Sequence, residues 1–74
     1  MDTVAHLDRD GVRTVQQLLR QRGFDPGPLD GVDGQLTNAA IRSFQTRYGI
    51  APAGEITNQT LFALGAVQLA IPGN

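Results

Sequence analysis

The sequence predicts an all-α protein, a three-helix bundle with a long turn-rich loop between its first two helices. The first observation is a short internal repeat: residues 12–16 and 41–45 both read apolar, Arg, small, apolar, Gln, and the apolar segment 61–64 follows them. The second observation is the helical spacing of apolar residues, and the third is a run of Gly, Pro and Asp at residues 23–34. One unit of a glycine turn and an amphipathic helix, used repeatedly, predicts a small bundle suited to binding rather than chemistry.

The first helix is predicted from about Gly11 to Arg22. Asp10 is its expected N-cap, because a carboxylate there can accept from the free N–H groups of the first turn. Gly23 permits the left-handed conformation that ends a helix, and Phe24 is placed to fold back on the last turn. Its apolar residues fall on one face: Val12, Val15, Leu18 and Leu19.

The segment 23–34 holds four Gly, two Pro and three Asp in twelve positions, which excludes a helix or a regular strand. It is predicted to be a compact run of turns. We expect Phe24 and Leu29, with Val32 as a further candidate, to anchor it in the core.

The second and third helices are each preceded by a matching opening, Gly-Gln-Leu-Thr-Asn at 34–38 and Gly-Glu-Ile-Thr-Asn at 54–58. The match predicts that Thr37 caps the second helix and that Thr57 caps the third. Gly49 and Gly65 are the expected helix ends. The predicted buried stripes are Ile41, Phe44 and Tyr48 on the second helix, and Leu61, Leu64 and Val67 on the third.

Composition excludes several classes of protein. The 74 residues leave room for one domain, and the net charge of -1, with six basic and seven acidic residues, is not that of a nucleic-acid binder. There is no cysteine, hence no disulfide framework or thiolate metal site. No apolar run approaches the roughly 20 residues of a membrane-spanning helix, so no membrane insertion is expected. The first residues also lack the layout of a signal peptide.

No catalytic or metal-binding constellation can be assembled. The only histidine is His6 and the only serine is Ser43, which is predicted on an exposed helix face. Three aspartates of the 23–34 loop, Asp25, Asp30 and Asp33, are explained by turn chemistry. A calcium loop of the EF-hand kind fails, because the residue twelfth from Asp30 is Ile41 instead of Glu. We therefore expect no enzyme activity, cofactor or metal.

An ordered series of residues resembles the type-1 peptidoglycan-binding domain family, a module of cell-wall hydrolases, amidases, transpeptidases and phage endolysins. The resemblance covers residues 10 to 65. It is carried by Val12, Val15, Gln16, Leu19, Gly23, Phe24, Gly27, Asp30, Gly31, Gly34, Thr37, Ala40, Ile41, Phe44, Gln45, Gly49, Ile50, Gly54, Thr57, Thr60, Leu61 and Leu64. The pro-domains of matrix metalloproteinases resemble the same fold, but they carry a zinc-ligating cysteine that this chain lacks.

The resemblance implies a three-helix module that binds bacterial peptidoglycan, stem peptide and glycan, and targets an attached catalytic domain, partner protein or particle to it. We expect a flexible segment or linker at 1–9, a peptidoglycan-binding domain at 10–66 and a C-terminal tail at 67–74. The expected location is the cell wall, periplasm or extracellular space, with the export signal outside this chain. A protein–protein interaction module or an inhibitory pro-segment on the same fold are the alternatives.

The ligand groove is predicted between the 25–34 loop and the start of the second helix. Glycine turns expose backbone there, and helix-start amides can receive a carboxylate. The residues expected to border it are Asp30, Gly31, Gln35, Thr37, Arg42, Gln45 and Tyr48. For Gln16 and Gln45 the favoured interpretation is a bond to loop backbone, with a ligand role as the alternative for Gln45. Arg42 is explained by a solvated helix face. The functional alternative is that Arg42 or Arg47 pairs with a stem-peptide carboxylate.

Overall fold

The computed structural model describes residues 4–50 and 54–70 and has three α-helices within them. These are α1 (Arg9–Gln21), α2 (Gln35–Tyr48) and α3 (Asn58–Leu64), followed by a 3₁₀ turn at Val67–Leu69. The all-α three-helix architecture is confirmed, and no strand occurs among these residues. Before α1, Val4 forms a single antiparallel bridge with Thr57, and the Ala5 N–H donates to the Ile56 carbonyl at 2.8 Å.

The core lies where the apolar faces of the three helices meet. Phe44 is at its centre, with the ring of Phe24 edge-on to it at a centroid distance of 5.6 Å. The ring of Tyr48 is tilted against that of Phe44, with the ring centroids 4.5 Å apart. Tyr48 was predicted in the buried stripe of the second helix, but it is 54% exposed and packs at the edge of the core. Val67, the last residue of the predicted third stripe, is exposed. The hydrophobic side chains with no exposed surface are Val15, Leu19, Ile41, Phe44, Leu61, Leu64 and Ala66.

The first helix starts two residues before its predicted start. Asp8, not Asp10, is the N-cap: its backbone is extended and its carboxylate accepts from the Gly11 N–H at 2.8 Å. The prediction for Asp10 was wrong because the helix begins two residues earlier, so that Asp8 takes the cap position and Asp10 lies inside the first turn. Residues 4–8 thus contact the bundle, whereas residues 1–3 of the predicted linker, and 71–74 of the predicted tail, lie outside the described chain.

The cap of α2 was also predicted wrongly. Gly34 occupies the cap position without a side-chain hydrogen bond, and Thr37 lies within the first turn and is buried. Thr57 does cap α3, where its hydroxyl accepts from the Thr60 N–H. The segments 34–38 and 54–58 are therefore similar in sequence but take different positions relative to the helix that follows each.

A glycine in the left-handed conformation follows each helix: Gly49 and Gly65 directly after α2 and α3, and Gly23 one residue after Arg22, the C-cap of α1. The next residue then donates its N–H five positions back, as Phe24 does to Leu19 (2.9 Å) and Ile50 to Gln45 (2.8 Å). The predicted endings are confirmed. Each ending turns the chain sharply back towards the core.

The 23–34 loop is anchored differently from the prediction. Val32 is 53% exposed and Leu29 only half-buried, whereas Pro26 is buried. Phe24 packs on the core as expected. Polar side chains from α1 supply the remaining anchors, and they define the site described next.

Candidate functional site

The buried carboxamide of Gln16 ties the loop between α1 and α2 to both helices. Its Oε1 accepts from the Gly31 N–H at 2.9 Å. Its Nε2 donates to the Val32 carbonyl at 3.0 Å and to the Thr37 hydroxyl at 2.9 Å. That hydroxyl in turn donates to the Pro26 carbonyl at 2.7 Å. One buried side chain thus bonds several points of a loop without regular structure, and its polar atoms are all satisfied in the interior.

Gln45 does the same for the turn before α3. Its Oε1 accepts from the Gly54 N–H at 2.7 Å, and its Nε2 donates to the Glu55 carbonyl and, at 3.1 Å, to the Thr60 hydroxyl. Both Gln16 and Gln45 are fully buried. The predicted structural role of the two glutamines, bonding loop backbone to a helix, is confirmed.

Asp30 and Gly31 form the tightest part of the loop. The Asp30 carboxylate accepts from the Val32 N–H at 2.9 Å and from the Gln16 amide at 3.3 Å. These two hydrogen bonds, the Val32 bond first, lower the pKa of Asp30 below its ordinary value of 3.8. Gly31 has a φ of +77°, and a Cβ there would lie 2.6 Å from the Arg9 carbonyl oxygen. Only glycine therefore fits this close approach of loop to helix.

Beside this fixed loop, the start of α2 borders an open depression of about 530 Å³. It is lined by Asp33, Gly34, Gln35, Asn38, Ala39 and Arg42. Asn38 and Arg42 lie one turn apart, and both reach Gly54: the Asn38 amide donates to its carbonyl at 3.1 Å, and the Arg42 guanidinium covers its Cα. A Cβ on Gly54 would be 3.2 Å from Arg42 Nε. The turn before α3 thus positions the arginine at the depression.

On the loop side of α2 lies a smaller notch of about 160 Å³. Gly34 and Gln35 border both this notch and the depression, so the start of α2 is a ridge between them. Its walls are largely apolar, with Leu36 exposed. The lining residues are Pro26, Pro28, Asp30, Val32, Gly34, Gln35, Leu36 and Thr37.

The seven predicted site residues fall into three groups. Gln35 and Arg42 share the depression, and Asp30 and Gln35 share the notch. Gly31, Thr37 and Gln45 are buried in the two glutamine networks, although Thr37 also forms part of the notch floor. Tyr48 is exposed on Phe44 and is not among the residues that line either concavity.

Sequence reasoning missed Asp33, Gly34, Asn38 and Ala39, which line the depression. A helical signal for Asn38 was present, because Gln35, Asn38 and Arg42 are spaced three and four apart and so share one face of α2. Asp33 was missed because it was interpreted only as a turn residue, whereas it lines the depression beside that face of α2. Within residues 4–50 and 54–70, no group of three or more His, Asp or Glu is placed to hold a metal ion. The helices in the same residues are all too short or too polar to cross a bilayer.

Comparison with known proteins gives a family match. The profile of the family described as "Putative peptidoglycan binding domain" matches residues 8–64, more than half of the chain. No solved structure matches this chain significantly.

Three similar curated proteins come from different bacteria. The N-acetylmuramoyl-L-alanine amidase CwlM of Mycobacterium tuberculosis is 36% identical over 69 residues, covering 93% of this chain and 17% of the amidase. The "Putative OxPP cycle protein OpcA" of Synechococcus elongatus is 41% identical over 66% of this chain and 11% of its own length. The localization factor PodJL of Caulobacter vibrioides is 36% identical over 64% of this chain and 5% of its own. The chain thus spans 17% or less of the length of each of these relatives.

Proposed function

Since this chain belongs to the peptidoglycan-binding domain family, we propose that it is a non-catalytic module that binds cell-wall peptidoglycan and targets an attached enzyme or particle to it. The amidase relative, which is about six times longer than the aligned segment, supports a catalytic domain as the attached partner. The same relative supports a location at the cell wall or outside the cell.

The observation that carries the proposal is the open depression beside α2 with an exposed arginine on its rim. Within the described residues Arg42 makes no hydrogen bond or ion pair, and its guanidinium rests on Gly54. A stem peptide carries free carboxylates, and the planar guanidinium is the side chain best suited to them. The volume, about 530 Å³, lies in the range typical of small-molecule and peptide sites.

We assign different roles to the predicted site residues. Gln35 and Arg42 contact the ligand, because they are exposed in the depression. Thr37, 2% exposed, and Gln45, fully buried, hold the surrounding turns in place. Asp30 and Gly31 shape the loop beside the notch. Tyr48 extends the exposed surface of α2 beyond the depression.

The proposal is tested by co-sedimentation with insoluble sacculi. The protein is expected in the pellet, and Arg42→Ala is expected to weaken binding while the thermal midpoint changes little, since exposed substitutions usually shift stability by under about 0.5 kcal/mol. Arg47→Ala is the matched control, because Arg47 is also exposed on α2 but does not line the depression. Full recovery of the protein in the supernatant would contradict wall binding and favour a protein partner.

The site is tested separately by titrating a soluble stem-peptide fragment into labelled protein. Amide shifts are expected in residues 33–42. Shifts confined to α3 and the residues after it would contradict the site while leaving wall binding intact. A small open site of this kind binds weakly, so a second module on the same partner would raise the overall affinity.

A further inference from the structure

We infer that the depression recognises a zwitterionic group of the stem peptide, a carbon atom that carries both a free ammonium and a free carboxylate. The inference rests on the proposed function and makes it more specific. In chemical terms the ligand is the side-chain terminus of a diamino dicarboxylic acid in the stem peptide. The terminal carbon of that side chain carries an amino group and a carboxyl group.

The first observation is that one acid and one base line the same concavity. Asp33 and Arg42 both border the depression, and neither makes a hydrogen bond or ion pair within residues 4–50 and 54–70. They do not pair with each other, so their charged atoms are more than 4 Å apart. A ligand that brings one charge of each sign can satisfy both groups at once.

The second observation is that most other charged side chains near the loop are already engaged. Arg9 donates to the Asp30 carbonyl at 3.0 Å and Arg20 to the Gly27 carbonyl at 2.9 Å. The carboxylates of Asp25 and Asp30 accept from backbone N–H groups. These contacts stabilise the loop itself. Asp33 and Arg42 make no such contact with any residue that the structure describes, and this leaves both available to a ligand.

The third observation concerns the neutral polar side chains that line the same depression. Gln35 and Asn38 line the same depression and are neutral amides, able to donate and accept. Asn38 is partly committed to the Gly54 carbonyl, which leaves its amide oxygen. Neutral groups that donate and accept can bond the ammonium hydrogens and carboxylate oxygens that Asp33 and Arg42 leave unsatisfied.

The arrangement selects against ligands of a single charge. A simple carboxylate that approaches Arg42 also meets Asp33, and a simple amine that approaches Asp33 also meets Arg42. Discrimination between partners comes from such repulsive contacts as much as from attractive ones. The site should therefore favour stem peptides whose diamino acid retains both groups, and disfavour those in which the amine is cross-linked or the carboxyl is amidated.

Two soluble tripeptides test this inference by isothermal titration or NMR. L-Ala-γ-D-Glu-meso-diaminopimelate carries the zwitterionic carbon, and L-Ala-γ-D-Glu-L-Lys carries the ammonium without the adjacent carboxylate. Both share the same C-terminal carboxylate, so that group cancels in the comparison. We expect the diaminopimelate peptide to bind about fivefold more tightly. This factor corresponds to roughly 1 kcal/mol, the contribution of one partly exposed charge pair.

The variants separate the two charges. Arg42→Ala should reduce the affinity ratio of the two tripeptides to about one, and Asp33→Asn should weaken both tripeptides by a similar factor. Arg47→Ala and Glu55→Gln, which change an exposed charge outside the depression, should leave the ratio unchanged. Thermal midpoints of all four variants confirm that they are folded.

The possible outcomes are distinct. Equal affinity of the unaltered protein for the two tripeptides, or binding of sacculi with no measurable binding of either tripeptide, would overturn this inference and leave the proposed function standing. Absence of binding to any sacculus would overturn the proposed function as well. A diaminopimelate preference that survives Arg42→Ala would place the recognition elsewhere on the protein.

Discussion

The carboxamides of Gln16 and Gln45 occupy equivalent places in two copies of one structural unit. Each oxygen accepts from the N–H of a left-handed glycine, Gly31 or Gly54. Each nitrogen donates to the carbonyl of the next residue and to a threonine hydroxyl in the first turn of the following helix. The fold is therefore built from a helix, a glycine turn and a second helix, used twice and fastened each time by the same amide.

The first prediction follows from that equivalence. Gln16→Met and Gln45→Met keep the side-chain volume but leave a glycine N–H without an acceptor, and each is expected to cost about 1–3 kcal/mol of unfolding free energy. Hydrogen exchange should locate the two effects, at residues 31–32 for Gln16→Met and at 54–55 for Gln45→Met. Because the two networks share no residue, the costs should add within about 0.5 kcal/mol. Faster exchange in both turns after either single substitution would show that the networks are coupled.

The second prediction compares three left-handed glycines. Gly23→Ala and Gly49→Ala should each cost about 1–2 kcal/mol, the penalty of the left-handed conformation alone, because nothing lies within 4 Å of the added methyl group. Gly31→Ala should cost clearly more, since its methyl group would also collide with the Arg9 backbone. Urea denaturation of the three variants gives the order. Equal costs would mean that the loop can move away from α1 without loss.

The third prediction concerns the start of α1. Asp8→Ala removes the N-cap and should cost about 1 kcal/mol. Asp10→Ala removes only an acidic residue of the first turn, whose interaction with the helix dipole contributes about 0.3–1 kcal/mol at an exposed site. Thermal denaturation at low salt and again at high salt distinguishes them, because screening weakens a dipole effect more than it weakens a cap that also makes a direct hydrogen bond. A larger loss for Asp10→Ala would restore it as the cap.

The fourth prediction is a dependence of stability on pH. The folded pKa of Asp30 lies below its ordinary value of 3.8, so the unfolded chain binds the proton more tightly. The stability contributed by the ionised carboxylate is therefore complete above that value and is lost as the pH falls below it, towards the lowered folded pKa. Asp30→Asn keeps an oxygen acceptor without a titrating group. Unfolding free energies between pH 6 and pH 3 should fall less steeply in this variant, and identical slopes would contradict the assignment.

The helix endings and the class of fold were predictable because they depend on local chemistry. Two glycine–apolar pairs, Gly23-Phe24 and Gly49-Ile50, predict which residue takes the left-handed conformation and which residue then packs back on the helix. The sequence alone did not predict which residues of the two repeat copies are structurally equivalent. Thr37 aligns with Thr57 in the sequence, but in the structure it corresponds to Thr60, because the equivalent glycines are Gly31 and Gly54.

The candidate site was predicted in part. Gln35 and Arg42 do share a concavity, since helical spacing places them near each other. Thr37 and Gln45 looked available for a ligand because both are polar, but their hydrogen-bonding groups are used inside the protein. Whether a buried amide finds internal partners depends on the path of a distant loop, which the residue pattern does not contain. Asp33 was missed for a related reason, since its role depends on lying next to α2 rather than on its turn.

The anchoring of the first loop separates the residues that hold the fold from those that can vary. The Gln16 network fixes positions 30–32 on one side and Thr37 on the other, while residues 33–36 between them are all exposed. This four-residue segment borders both the depression and the notch. Its sequence can therefore be randomised in a display library, with the scaffold retained, to select variants with new ligand preferences.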